Sequence, residues 1–415
     1  MAITLALGTS LAVHPAIAQI IPDRTLRNEG SVVIPNVEVR GLPAELIEGG
    51  ALRGANLFHS FTEFNVGNGQ RVYFANPVGI ENILSRVTGN NLSQIFGTLG
   101  VDGGANLFLL NPQGFIFGEK AQLDIAGSFV GTTADSLLFE NGTKFSATEP
   151  EAPPLLRINV PLGLQYGANP PGRTIANEGN LAVGQDLTLV GGNLDLQGQL
   201  QAGRDLTLQA TDTVKVRDSA VNPFIAAAGN QLLIQGNQQV DIFTLNHPHS
   251  GFFSGGDMVL RSPSPVGGDA HYWSGGNFRI EQLDGSLGNL SSPHDPIIRS
   301  QGDVSFFAYQ GASLHILAGG QVDIDTVIIT GPDTVGEAIN PTTNPILANV
   351  TLSDGTSLII DGTTQPTLDV RAGMDPAVIG DPLGTIGATF PTDIFVDPSI
   401  FFVPPPDNNP VSEFY

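Results

Sequence analysis

Asp323 and Asp325 are the two carboxylates best spaced for chemistry. Alternation along a strand would put both on one face, where they could act as acid and base on a glycosidic bond. Histidines offer a second chemistry: His247-Pro248-His249, with His271, has the donor type that binds transition metals. The intervening Pro makes a shared ion awkward, however, and no Cys or well-spaced carboxylate completes the set. The strings G-x-S-x-G, G-x-x-x-x-G-K-[ST] and H-E-x-x-H are absent. Solvated aspartates and loop histidines are the weightier reading, so no catalytic residue, metal or cofactor is expected.

A third set concerns recognition and turns. Gly-Ala-Asn-Leu-Phe occurs twice, at 54–58 and 104–108, placing Asn56 and Asn106 in the same context. The second copy runs on into Leu109-Leu110-Asn111-Pro112-Gln113-Gly114-Phe115-Ile116-Phe117-Gly118. Asn111-Pro112-Gln113-Gly114 suits a tight turn, with Pro fixing one φ and Gly permitting a positive one. Asn76-Pro77-Val78-Gly79 has the same form. Each is read first as a corner of the fold, and second as a surface that a partner could touch. Stacked Asn side chains can hydrogen-bond between neighbouring coils, a structural role for Asn56 and Asn106.

Short strands must position these residues. Val, Ile, Leu and Phe recur in short runs separated by Gly, Asn and Asp, and no amphipathic helix pattern exceeds about two turns. From about 175 to 325 one phrase repeats: a small residue, Gly, a polar residue, then apolar-x-apolar. Examples are Val183-Gly-Gln-Asp-Leu-Thr-Leu189 and Ala202-Gly-Arg-Asp-Leu-Thr-Leu208. The first apolar positions are 187, 206, 232, 258, 278, 304 and 322, at intervals of 19, 26, 26, 20, 26 and 18. Propeller blades are longer, and leucine-rich repeats need a Leu ladder. Coils of this length suit a parallel β-helix, with Thr188, Thr207, Arg279, Ser305 and Asp323 pointing outward. Variable loops at one corner would account for the longer intervals, and corner Gly and Asn would supply left-handed backbone. About 13 such coils would make a rod roughly 60 Å long.

Composition narrows the function. Net charge is −23 with three lysines, so the chain repels phosphate backbones and anionic lipid; no nucleic-acid partner is expected. Cysteine is absent, which suits a chain exported unfolded through an outer-membrane pore. Residues 1–18 read as a signal peptide: an apolar stretch ends in Ala16-Ile17-Ala18, although no Lys or Arg precedes Arg24. No other stretch is long and apolar enough to span a membrane as a helix. A Pro-rich joint, Glu149-Pro150-Glu151-Ala152-Pro153-Pro154, reads as a loop on a continuing solenoid, and Pro404–Pro410 as an exposed tail.

Four blocks carry a family resemblance. They are Ala55–Phe64, Phe74–Gly89, Gly104–Gly118 and Ala121–Thr133. Together they resemble the secretion domain of filamentous-haemagglutinin-like exoproteins, over roughly residues 20–145. The family usually has Asn-Pro-Asn-Gly where this chain has Asn111-Pro112-Gln113-Gly114, a swap that keeps the turn and loses one Asn side chain. The resemblance implies a right-handed parallel β-helix with an N-terminal cap. It also implies two-partner secretion through an outer-membrane translocator whose POTRA domains recognise the secretion domain; Asn56, Asn76, Pro77, Asn106, Asn111, Pro112, Gln113 and Gly114 are the candidate translocator-recognition or coil-corner residues. The expected organisation is a signal peptide (1–18), a secretion domain (19–145), continuing β-helix repeats (146–325) and an irregular β/loop segment with a Pro-rich tail (326–415). The expected product is a secreted or surface protein of adhesin-like role, with a cell-surface or glycan target. A carbohydrate-active enzyme on the same solenoid is the rival. The Gly-His-Gly and Arg-Ile-Lys strings of pectin-acting β-helix enzymes do not occur here.

Overall fold

The computed structural model describes residues 19–140, 142–153, 163–165, 173–334, 349–351 and 354–384. The segment read as a signal peptide and the Pro-rich tail lie outside the described residues.

Apolar-x-apolar triplets stack because a two-residue period sends every second side chain inward. Parallel pairing carries Phe129 onto Leu187, then Leu206, Leu232, Met258, Phe278, Val304 and Val322. The first seven are buried, and Val322, in the last such rung, is partly buried. Facing them, a second column runs Leu181, Leu200, Ala226, Phe252, Tyr272, Ile298, Ile316 and Val370. Apart from the exposed terminal Val370, these columns enclose one continuous core. The result is a parallel β-helix: a 21-stranded sheet takes two strands from most coils, and a 13-stranded sheet takes one.

Two details differ from the sequence reading. Extra residues enter at two corners, not one. Residues 218–224 and 244–250 bridge the long sheet to the second sheet, whereas 282–288 separate two strands of the long sheet. Interval length sums over a whole coil and hides which corner grew. The second detail concerns the repeat glycines. Gly184, Gly203, Gly229, Gly255 and Gly275 do not adopt positive φ. They stack instead. A Cβ on any of them would fall within 3.0 Å of a backbone oxygen one coil below. Their amides bond to the preceding coil, as Gly229 N–H does to Ala202 O at 2.9 Å and Gly255 N–H to Ala228 O at 2.9 Å. Close approach, rather than left-handed backbone, selects glycine there.

The N-terminus closes the hollow with antiparallel pairings. Ser31–Val39 pairs with Leu42–Gly49, while Ile20–Pro22 and Ala51–Arg53 both pair with Asn56–Phe64. Beside this cap, a small sheet of Ser136–Leu138, Lys144–Ser146 and Gly163–Gln165 lies outside the solenoid. It explains the unbroken apolar run Leu107–Leu110. Leu107 and Leu109 face the main core, while Leu110, with Phe108 packed against it, joins Phe58, Leu84, Leu137, Phe139 and Phe145 in a second core on the outer face. A strand buried on both faces loses its polar alternation.

Beyond Ile329 one more strand continues the second sheet: Leu368–Arg371 pairs in parallel with Leu314–Leu317. The chain then turns back along the outer face of that sheet, through a short helix at Pro376–Ile379 that Asp375 caps. Among the described residues, no helix is long and apolar enough to cross a membrane.

Candidate functional site

Three coils begin their first long-sheet strand with Asn followed by two apolar residues: Asn56-Leu-Phe, Asn82-Ile-Leu and Asn106-Leu-Phe. Parallel register stacks Asn56, Asn82 and Asn106. Asn82 Nδ2 donates to Asn56 Oδ1 at 3.0 Å, and Asn106 Nδ2 to Asn82 Oδ1 at 2.9 Å. Ser128 N–H closes the ladder on Asn106 Oδ1 at 2.9 Å. The buried carboxamides of Asn56 and Asn82 and the half-buried one of Asn106 are thus paired along the axis, as buried polar groups must be. Sequence reasoning missed Asn82. Its signal was the Asn-apolar-apolar triplet, hidden because Ile80-Glu81 replaces Gly-Ala before it.

Asn76 and Pro77 stand at the same corner. Asn76 Oδ1 accepts Ala105 N–H at 3.0 Å from the next coil, and its Nδ2 donates to Ile80 O at 3.0 Å. Ile80 N–H bonds Pro77 O at 3.1 Å, which closes a turn that holds Val78 fully in solvent.

Asn111, Pro112, Gln113 and Gly114 form the following corner, at the far end of the strand Asn106–Leu110. The Asn111 side chain organises it. Its Oδ1 accepts Gln113 N–H at 2.9 Å, and its Nδ2 donates to Asn91 O at 3.1 Å and Ser93 Oγ at 3.0 Å. Gly114 N–H bonds Asn111 O at 3.0 Å. Gly114 has φ +109°, and a Cβ there would sit 2.5 Å from Thr174 O. Glycine is therefore required for both conformation and space. Asn111, Pro112 and Gly114 are buried; Gln113 is the half-exposed member. It borders a groove of about 530 Å³ that is also lined by Asn65, Asn91, Gln94, Phe96 and Arg173. The eight residues singled out from sequence thus fall into two corners joined by one strand, rather than one patch.

Two buried arginines, unremarked in the sequence, hold this region together. Arg86 donates from Nη1 to Ser146 O at 2.7 Å, from Nη2 to Glu151 O at 2.9 Å, and from Nε to Ser60 Oγ at 2.9 Å. Its guanidinium also lies 4.2 Å from the Phe145 ring centre. Burial lowers its pKa to about 10, against the pull of Asp23, so it stays charged. Burial acts to raise the Asp23 carboxyl, but hydrogen bonds from Thr25, Ser60 and Thr88 hold it below the usual range. Arg53 forks onto Glu29 at 2.9 and 2.7 Å and reaches Pro153 O. The cap, the first coils and the outer segment 142–153 are therefore fastened by charge-assisted bonds. An Arg inside an apolar strand was the available signal, in a chain with only 17 basic residues.

The other candidates stay apart. His247 Nδ1 accepts His249 N–H at 3.1 Å, and His271 faces Asp295 at 3.5 Å. Among the described residues no three His, Cys, Asp or Glu side chains gather to hold a metal. Asp323 and Asp325 are both exposed on the strand Val322–Ile329.

The family description TPS secretion domain matches residues 18–280. The heme/hemopexin-binding protein of Haemophilus influenzae is 37% identical over 79 residues, which cover 19% of this chain and 8% of that protein. The chain therefore spans only a small part of this curated relative. Among solved structures, the HMW1 secretion domain from Haemophilus influenzae matches with a TM-score of 0.39 and 14% identity, covering 72% of this chain and 99% of that one. A filamentous hemagglutinin secretion domain matches with a TM-score of 0.33 and 17% identity, covering 75% and 99% respectively. With the family description covering well over half of its residues, the chain belongs to the TPS secretion-domain family and is an exported, secreted or cell-surface exoprotein.

Proposed function

We propose that the corner Asn111–Gly114 and the groove beside it are read by the POTRA domains of an outer-membrane translocator during two-partner secretion. Family membership implies an outer-membrane transporter as the partner; the site is our assignment. The observation that carries it is the half-exposed Gln113, which opens onto carboxamides of Asn65, Asn91 and Gln94. Side-chain amides offer donor and acceptor together, the chemistry that matches an extended backbone segment of a partner. Asn56, Asn76, Pro77 and Asn106 support the neighbouring corner and keep its rungs in register.

Once outside, the chain acts in this reading as an adhesin-like protein that binds a cell-surface or glycan target rather than as an enzyme. Asp323 and Asp325 are solvated on one exposed face, and among the described residues no cation pairs with either. A general acid needs burial or a charged neighbour to separate it from its partner carboxylate.

Secretion of an Asn111→Ala/Gly114→Ala chain, with the translocator co-expressed, tests the recognition reading. Export should fall sharply; parental export levels would remove it. Screening the parent and an Asp323→Ala/Asp325→Ala variant on polysaccharides tests the rest. Turnover by the parent that the variant loses would overturn the non-enzymatic reading.

A further inference from the structure

The two ends of the solenoid are finished differently. At the N-terminus antiparallel strands close the hollow, and the outermost strand, Ser31–Val39, is interrupted by Pro35 and by a shift of register between Ile34 and Val37. Such devices blunt a free sheet edge. The last coil has neither. Among the described residues Val322–Ile329 pairs only with Val304–Gly311, and it holds no Pro, Gly or Lys. Its inward side chains, Val322, Ile324, Val327 and Ile329, are only partly buried. On the third side of that coil, Leu368 and Val370 stack on the core residues Leu314 and Ile316 yet remain 52% and 41% exposed. These apolar side chains end the hollow with no coil above them among the described residues.

The chain that follows leads away from this end. Gly373 N–H and Met374 N–H bond back to Gly320 O and Ala318 O, both at 3.0 Å. Gly380 then lies against the Trp273 ring, and Leu383 against Ile225 and Ala227. Register places Ile225 five rungs before Leu368–Arg371, about 24 Å from the open end.

The pattern of the free edge is symmetric. In the preceding coil Val304 N–H bonds Gln321 O at 2.9 Å and Gly311 O accepts Thr330 N–H at 2.6 Å, both toward the last coil. Their register partners Val322 and Ile329 therefore aim the same groups at the open side, and alternation adds Ile324 and Val327. Between these two pairs stand Asp325 and Thr326, both exposed, at a bend. The four residues that face the hollow thus also carry the free edge groups, and they are disposed evenly about one point. In an antiparallel pair of copies with a two-fold axis through the bend, Val322 meets Ile329 and Ile324 meets Val327, in about eight backbone hydrogen bonds. Asp323 then falls opposite Ile328, and Asp325 opposite Thr326, so no carboxylate is set directly against another.

We propose that two copies of the chain join end to end through Val322–Ile329, each open hollow closing the other. A second copy is favoured over a foreign strand, which would fill the edge but leave Leu368 and Val370 uncovered. The nearest like charges in the joint are the two Asp325 side chains, diagonal to each other beside the axis.

The purified full chain is examined by sedimentation equilibrium and by amide hydrogen exchange over a range of concentrations. Its mass should rise from monomer to dimer and stop there, because a two-fold contact is closed. The amides of Val322, Ile324, Val327 and Ile329 should gain protection in step with the dimer. Val327→Lys sets a charge in the joint and should weaken association by about tenfold or more, whereas Asp325→Asn should tighten it several-fold. Val327→Pro deletes one free-side N–H while keeping an apolar ring, and should weaken association even where the Lys variant fails to fold. A chain that stays monomeric at every concentration, growth past the dimer, or association unmoved by all three variants overturns the proposal. Protection of those four amides at every dilution would mean that the chain covers its own edge, and would overturn it equally. None of these outcomes touches the secretion test.

Discussion

Asn82 shows how much one carboxamide carries. It donates to Asn56 and accepts from Asn106, so Asn82→Ala removes the partner of a buried acceptor and of a half-buried donor on adjacent coils. The expected loss is about 1–3 kcal/mol, measurable as a lower urea midpoint with an unchanged m-value. Asn56 and Asn106 were legible because their pentapeptides are identical; Asn82 was not, because a ladder is set by strand register rather than by neighbours in sequence. His315 is a second test at this scale. It is fully buried, with Asp369 at 3.4 Å and Asp333 at 3.6 Å. Burial works against its charge, but the hydrogen bond to Asp369 and the nearby Asp333 carboxylate prevail and lift its pKa to about 9. A folded-state pKa above the unfolded value gives stability that is complete below about pH 6.5 and disappears as pH rises through about 9. Thermal midpoints followed by Trp273 emission should fall across that window. In His315→Asn the fall should flatten, and an equally steep fall would remove the ion triad from the account.

Elements were legible to the extent that their period was. The seven apolar positions counted along the sequence form one stacked column, because a two-residue alternation fixes which side chains face in. What the glycines do was not legible, since spacing cannot distinguish a left-handed corner from a close approach between coils. Gly229→Ala separates the two. Its Cβ would meet the carbonyl of Gly203, whereas a Cβ on Gly331 meets nothing within 4 Å. Gly229→Ala should cost roughly 1–3 kcal/mol through overpacking, and Gly331→Ala should stay near neutral by the same chemical denaturation. The small outer sheet was hidden for a different reason. Phe139 and Phe145 look like core residues of any strand, and only the fold reveals that their core lies outside the solenoid.

At the scale of the molecule, the solenoid gives export a physical logic. Each coil completes its hydrogen bonds and its share of the core by stacking on the coil before it, so folding can advance from the cap as chain emerges. The N-terminal cap, closed by antiparallel strands and fastened by Arg53 and Arg86, is the natural starting point. It adjoins the corners assigned to the translocator. Family and architecture were readable from repeated motifs and coil length. The groove proposed for recognition was legible only in part: Gln113 was in the motif, but Asn65, Asn91 and Gln94 reach that groove from other coils.

The most direct test is export of the full chain carrying Asn91→Arg and Gln113→Arg. Both positions line the groove without entering the main core, so the purified variant should keep the parental unfolding midpoint. With the translocator co-expressed, the amount recovered outside the cell should fall by about tenfold or more, the consequence of losing ~1.4 kcal/mol or more of recognition. Parental export by the stably folded double variant would contradict the account.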